Sequence, residues 1–244
     1  MKTFSRFMLM IGITITSLTF YSCSDDDGYS LGKFWIDIAT VKTTESNSHY
    51  FRLDDGSTLW PAAGYYTGHN LQEGERAIVN YTILSDSLSG FSHYVKVNWV
   101  DPVLTKKPAE NLGNKNDSVY GTDPVRIESI WLGDGYLNIL FQTNTSGSIK
   151  HFINLVKNSD GEIPYTLEFR HNAYDDYPMK SASGIVCFDL SELPDTENET
   201  VKLTIRVQTF DGEKEYVLDY KTNQTSKLKV IPSNIQSGYF ERTE

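Results

Sequence analysis

The amino-acid sequence predicts an all-β protein of two units, a small barrel followed by an antiparallel β-sandwich. Three observations carry that expectation. Apolar and polar residues alternate with period two along most of the chain. Asp-Gly pairs stand between alternating segments, where a hairpin needs positive φ. Only Ile149 to Val156 also fits a helical face, and it is short and rich in β-formers. With 244 residues, 39% hydrophobic and 13% aromatic, the chain has material for one or two packed cores and is not of disordered composition.

The elements follow in chain order. Lys2 and Arg6 precede an uncharged apolar run from Phe7 to Phe20, then Tyr21-Ser22-Cys23. The run is well short of the roughly 20 residues of a spanning helix, so residues 1–22 read as a signal peptide. A retained buried helix fits poorly, because Ser24-Asp25-Asp26-Asp27-Gly28 cannot continue an apolar face. Phe20-Tyr21-Ser22-Cys23 resembles the lipobox of bacterial lipoproteins, with Phe20 where Leu is usual. That resemblance implies an acylated Cys23, partnership with a membrane through the lipid anchor, and residues 23–30 as a lipidated tether. Ser24, Asp25, Asp26 and Asp27 resemble the acidic export signal of surface lipoproteins from the phylum of common gut anaerobes, which implies an outer-membrane, surface-facing address. Three adjacent carboxylates also make a plain hydrated spacer. A calcium loop is excluded, since Ile36 occupies the twelfth position from Asp25.

Residues 31–105 form the first unit, with strands expected over Lys33 to Lys42, Tyr50 to Leu53, Arg76 to Leu84 and around Val95, Val97 and Trp99. Residues 106–122 have few apolar side chains and read as a linker. Residues 123–240 form the second unit. Its expected strands are Val125 to Trp131, the segment holding Leu137, Ile139 and Phe141, Ile149 to Val156, Tyr165 to Arg170, Gly184 to Asp189, the alternating Val201, Leu203, Ile205 and Val207, and Lys214 to Tyr220. Asp55-Gly56, Asp134-Gly135 and Asp211-Gly212 mark hairpins. Residues 190–200 read as a single helical turn stopped by Pro194.

Three stretches resemble the NigD-like lipoproteins: Tyr50-Phe51-Arg52-Leu53-Asp54-Asp55-Gly56-Ser57-Thr58-Leu59-Trp60-Pro61-Ala62, then Gly74-Glu75-Arg76-Ala77-Ile78-Val79-Asn80-Tyr81, and Leu132-Gly133-Asp134-Gly135-Tyr136-Leu137-Asn138-Ile139. The resemblance implies a small OB-like barrel followed by an antiparallel β-sandwich, after a lipoprotein signal peptide. It implies no activity and no catalytic residue; the family name comes from a bacteriocin-associated gene neighbourhood, which makes an immunity or envelope-accessory role the alternative to ligand binding.

Chemistry is sparse in the residues themselves. With 22 Lys and Arg against 32 Asp and Glu, the net charge of -10 argues against nucleic acid as a partner. The five His are scattered without metal-ligand spacing, and neither a Gly-x-Ser-x-Gly elbow nor a phosphate loop is present, so no metal, cofactor or enzymatic activity is expected. Asp175 and Asp176, beside Tyr174, Tyr177 and Pro178, read as a solvated loop pair. Cys187, in a strand, reads as an inert buried thiol. Trp60, Tyr65 and Tyr66 are candidates for stacking on a glycan or protein ligand, or for pairing across strands. Asp86-Ser87-Leu88 and Asp117-Ser118-Val119 resemble an O-glycosylation acceptor pattern of exported proteins in the same bacterial group, which would place the sugar on Ser87 and Ser118 in loops.

Overall fold

The structure, a computed structural model, describes residues 30–64, 71–87, 89–158 and 164–232. The leader, Cys23, the run Ser24 to Asp27, and Tyr65 and Tyr66 lie outside the described residues.

Five strands form the first unit: β1 (Trp35–Thr43), β2 (His49–Leu53), β3 (Thr58–Ala63), β4 (Arg76–Ser85) and β5 (His93–Pro102). They close in the order β1-β2-β3-β5-β4, with β1 returning to β4 and β3 parallel to β5. This is the OB arrangement. Ala39, Val41, Phe51, Leu53, Leu59, Val79, Tyr81, Val95 and Val97 point inward and fill it. The β3 strand was not foreseen, because Thr58-Leu59-Trp60-Pro61 is short and carries a proline. Pro61 is tolerated here, where the β3–β5 register shifts between Pro61 and Ala63.

The second unit stacks two four-stranded sheets. Its strands are β6 (Leu104–Lys106), β7 (Arg126–Gly133), β8 (Tyr136–Thr145), β9 (Phe152–Lys157), β10 (Thr166–Asn172), β11 (Lys180–Asp189), β12 (Val201–Thr209) and β13 (Gly212–Tyr220). One sheet runs β13-β12-β10-β9 and the other β6-β11-β8-β7. Leu203, Ile205 and Val207 enter the shared core with Leu137, Ile139, Phe141, Ile153, Leu155 and Phe188. The ambiguous segment is the strand β9. Most pairings are antiparallel, but β10 runs parallel to β12 and β6 parallel to β11. The chain crosses to the opposite sheet as β11 between β10 and β12, so β12 re-enters beside β10 in the same direction. At Asp134-Gly135 both residues have positive φ, 50° and 85°, as a tight two-residue hairpin requires.

Two expectations need correction. Residues 106–122 do not space the units apart; they dock on the sandwich. Ala109 donates its N–H to Leu155 O at 2.7 Å and accepts from Lys157 N–H at 2.9 Å, the Tyr120 hydroxyl donates to Glu110 O, and a short helix α1 (Asn116–Tyr120) follows. A polar segment can cover the open edge of β9 through backbone hydrogen bonds, so its lack of apolar residues concealed a structural role. Residues 190–200 hold turns and no helix: Glu197 and Asn198 adopt φ of 50° and 70°, and Thr196 and Thr222 exchange hydrogen bonds from N–H to hydroxyl.

The units meet along a buried seam of Ile38, Ile78, Val103, Trp131, Leu140, Ile185, Cys187 and Ile231. The Arg76 guanidinium, fully buried, donates to the Asp54 carboxylate, to Thr40 Oγ1 at 2.9 Å and to Asn138 Oδ1 at 3.2 Å, and lies over the Tyr136 ring. Trp131 Nε1 donates to the other Asp54 oxygen at 2.8 Å. Gly133 is required here, because a Cβ would sit 2.3 Å from Asp54 Cγ. Burial pushes the Tyr136 hydroxyl up to about 12 and the Cys187 thiol up to about 11, so that thiol stays protonated and inert.

Candidate functional site: an aromatic face on the barrel

The pleat of the barrel sends alternate residues outward. On one side these are Ile38, Thr40, Asp54, Arg76 and Ile78, all buried in the seam. On the other side they are aromatic and partly exposed. Trp60 on β3 is in register with Tyr94 on β5, and Tyr50 on β2 lies one residue beyond the Phe51–Leu59 pair, which brings the three rings into one row across three strands. Phe91, from the β4–β5 loop, caps the row at ring-centroid distances of 4.9 Å from Trp60 and 5.2 Å from Tyr50. Ser92 and Thr58 exchange hydrogen bonds from N–H to hydroxyl and clamp that loop to β3.

Trp60 is therefore brought together with partners that the sequence reading missed. The rings pair across strands and still leave edges in water, so the two readings of Trp60 are not exclusive. Tyr50 and Tyr94 were legible as outward residues of alternating strands; Phe91 carries no local signal. An OB barrel binds polymers on its β2–β3 face between the β1–β2 and β4–β5 loops, and this row occupies that place. Ser87 is exposed on the same β4–β5 loop, whereas Ser118 stands on α1 instead of a loop, its hydroxyl donating to Lys115 O.

The sandwich holds a second polar cluster, which is closed to solvent. His151 Nδ1 lies 2.9 Å from His171 Nε2, and His151 Nε2 lies 3.0 Å from Asp176 Oδ2. That oxygen also accepts from Thr145 Oγ1 at 2.8 Å and Ser146 N–H at 2.7 Å. Asp176 is thus a buried anchor and not half of a solvated pair with Asp175. Hydrogen bonds from Ser146, Thr145 and His151 hold its carboxyl well below the usual range. Burial, with His151 beside it, lowers His171 to about 4. Both His171 nitrogens face a partner, Nε2 meeting His151 Nδ1 and Nδ1 meeting Asp123 O at 3.3 Å. A cleft of about 240 Å³ beside it is lined by Arg170 and Arg206, each paired to a glutamate, Glu168 and Glu215. Among the described residues no group of His, Cys, Asp and Glu could hold a metal ion, and no helix is long and apolar enough to cross a membrane.

The comparison that decides the family spans both units: residues 38–103 match the NigD-like N-terminal OB domain and residues 108–220 the NigD-like C-terminal beta sandwich domain. The chain belongs to the NigD-like family. Among solved structures, a toxin-related protein from Parabacteroides distasonis is 50% identical, over 78% of this chain and 94% of that one, with a TM-score of 0.72. A protein of unknown function from Bacteroides vulgatus is 26% identical, over 86% and 100%, with a TM-score of 0.71. A NigD-like immunity protein from Bacteroides caccae shares the fold at 24% identity, over 76% and 96%, with a TM-score of 0.59. No curated protein matches the chain.

Proposed function

We propose that this NigD-like protein is a non-enzymatic binding protein, held on the outer face of the bacterial outer membrane by lipidated Cys23, that takes a neutral glycan on its aromatic row. The observation that carries the reading is the row itself: Tyr50, Trp60 and Tyr94 in register on the free side of the barrel, with Phe91 clamped over them. Four rings pre-positioned on rigid strands give apolar faces for sugar C–H groups at little further entropic cost. The net charge of -10 disfavours polyanions.

The test is a glycan array probed with the wild-type protein and with Trp60→Ala. Selective retention of neutral glycans, lost in the variant, supports the reading; no retention, or retention unchanged by the substitution, ends it. Attachment is tested by detergent phase separation of the protein from its host, where Cys23→Ser should move from the detergent to the aqueous phase. Intact mass of the native product reads the sugar on Ser87 and Ser118, which shows as hexose-sized increments.

A second reading has its own support. The similar structures include a toxin-related protein and an immunity protein. In that reading the same row receives a secreted protein toxin. Deleting the gene would then raise toxin sensitivity, and Trp60→Ala would fail to restore protection.

A further inference from the structure

We infer that the barrel rests on the bilayer through one apolar face, in which Leu31 and the rings of Phe34 and Trp99 enter the headgroup region of the membrane that holds Cys23. The inference rests on the lipid anchor proposed at Cys23. Leu31, Phe34 and Trp99 are exposed at 77, 59 and 39%, beside the point where the tether joins the body.

A bulge turns Trp99 outward. Val95 and Val97 point into the barrel core, and unbroken alternation along β5 would send Trp99 in after them. The β4–β5 register instead shifts between Asn80 and Tyr81, which pair with Trp99 and Val97 and leave Asn98 as an extra residue on β5. Val100 takes the inward place and packs against the core, while Trp99 meets water. On the same outward side stands Ile36, which pairs with Asn80 and packs on the seam, and Phe34 extends that side just before β1. The polar groups among these residues bond one another: Asn98 Nδ2 donates to Asn80 Oδ1 at 2.8 Å and to Thr82 Oγ1 at 3.3 Å. The face can therefore leave water without breaking those bonds.

The length of the tether selects the occupant. From Cys23 to Ser30, where the described chain begins, the backbone spans at most about 25 Å. A compact body of roughly 200 residues is about 40 Å across. The leash is shorter than the body is wide, so the surface around Leu31 is turned towards the membrane. Phe34 follows in the same stretch of chain, and Trp99 lies two strands from Ile36, roughly 10 Å away. Leucine and aromatic rings at that depth bury their apolar faces at the boundary of headgroups and acyl chains, and the indole N–H stays among the headgroups. The contact is apolar. With a net charge of -10, the chain gains nothing from anionic lipid, and neutral lipid suffices.

The experiment uses the lipidated protein, produced in its host, in vesicles of phosphatidylcholine and phosphatidylethanolamine, which carry no net charge. A Lys96→Cys variant carries an environment-sensitive fluorophore at an exposed position of β5, paired with Thr82 beside this face and far in sequence from the anchor. Lys202→Cys on β12 is the control, and Cys187 is buried and does not compete. Nitroxide-headgroup lipid should quench the label at 96 and spare the label at 202. Phe34→Ser with Trp99→Ser should lower the ratio of inserted to free face by about tenfold or more. A Gly-Ser insertion after Gly28 should leave the quenching in place, because the face and not the leash makes the contact. Equal quenching at both sites, quenching that the longer tether abolishes, or quenching that the double substitution spares overturns the inference while the anchor stands. Protein that stays in the supernatant overturns both. A label at 96 already shielded in Cys23→Ser protein without vesicles assigns the face to residues 233–244 of this chain. Shielding that appears only at high surface density, with energy transfer between labels, assigns it to a second copy; either result overturns the inference.

Discussion

The two outer sides of the barrel are built by the same strands with the same alternation, yet one is buried and the other faces water. On the sandwich side, Ile38 and Ile78 pack on Trp131, Leu140 and Ile185, and Arg76 hydrogen-bonds Asp54 and Asn138 away from solvent, its Nε alone finding no partner among the described residues. On the free side, Trp60 packs on Tyr94, and Phe91 touches Tyr50, Trp60 and Tyr94. The difference teaches that in a small barrel the polar outward residues can be buried and structural while the aromatic ones stay partly exposed, the reverse of what polarity suggests. A buried charge that loses its partner cannot be rehydrated, whereas a surface ring that is removed leaves its neighbours still in contact with water.

Removing Arg76 gives the sharpest break of that comparison. Arg76→Ala strands the Asp54 carboxylate in the seam and should cost about 3–5 kcal/mol of stability, read as a lowered urea midpoint. A loss no larger than that of a surface substitution would mean that the seam opens to water.

Acid sharpens the comparison by asking whether the other buried polar cluster behaves like the seam. The His171 imidazole titrates near 4 when folded and near 6.5 when unfolded, so between those values the unfolded chain binds the extra proton. Stability is full above about pH 6.5, falls as pH drops towards 4 by about 3 kcal/mol at most, and loses no more to this group below that. Asp176, held below its usual range, adds its own loss only beneath about pH 4. His171→Gln should flatten the first of these phases in thermal melts taken across pH, and Arg76→Ala should leave its slope unchanged.

Trp60→Ala should cost about 1–2 kcal/mol, since it gives up partly exposed ring contacts, yet abolish retention on the glycan array. A variant that loses stability as steeply as the Arg76 substitution would make the row part of the core. The smallest effect is expected at Cys187. Buried in the seam with its thiol raised to about 11, it should resist thiol reagents in native buffer and react only on unfolding.

Much of the fold was legible. Val201, Leu203, Ile205 and Val207 announced a strand because period two is a local property of the backbone, and Asp134-Gly135 announced its hairpin because few other residue pairs accept two positive φ values. The site was legible only at Trp60. Its partners Tyr50 and Tyr94 are 10 and 34 residues away in sequence, and register, not spacing, puts them side by side. Residues 106–122 were misread because edge covering works through backbone groups, which every residue has. Asp176 was misread because a carboxylate beside Asp175 and Tyr177 looks solvated until β8 and β9 fold over it.

The sequence by itself determined the period of most strands and the places where hairpins turn, since these depend on neighbours a few residues apart. Only the tertiary structure decided which outward residues meet the sandwich and which meet water. Alternation assigns a side chain to a face of its strand, but the burial of that face depends on what a distant segment packs against it, and no local pattern encodes that choice.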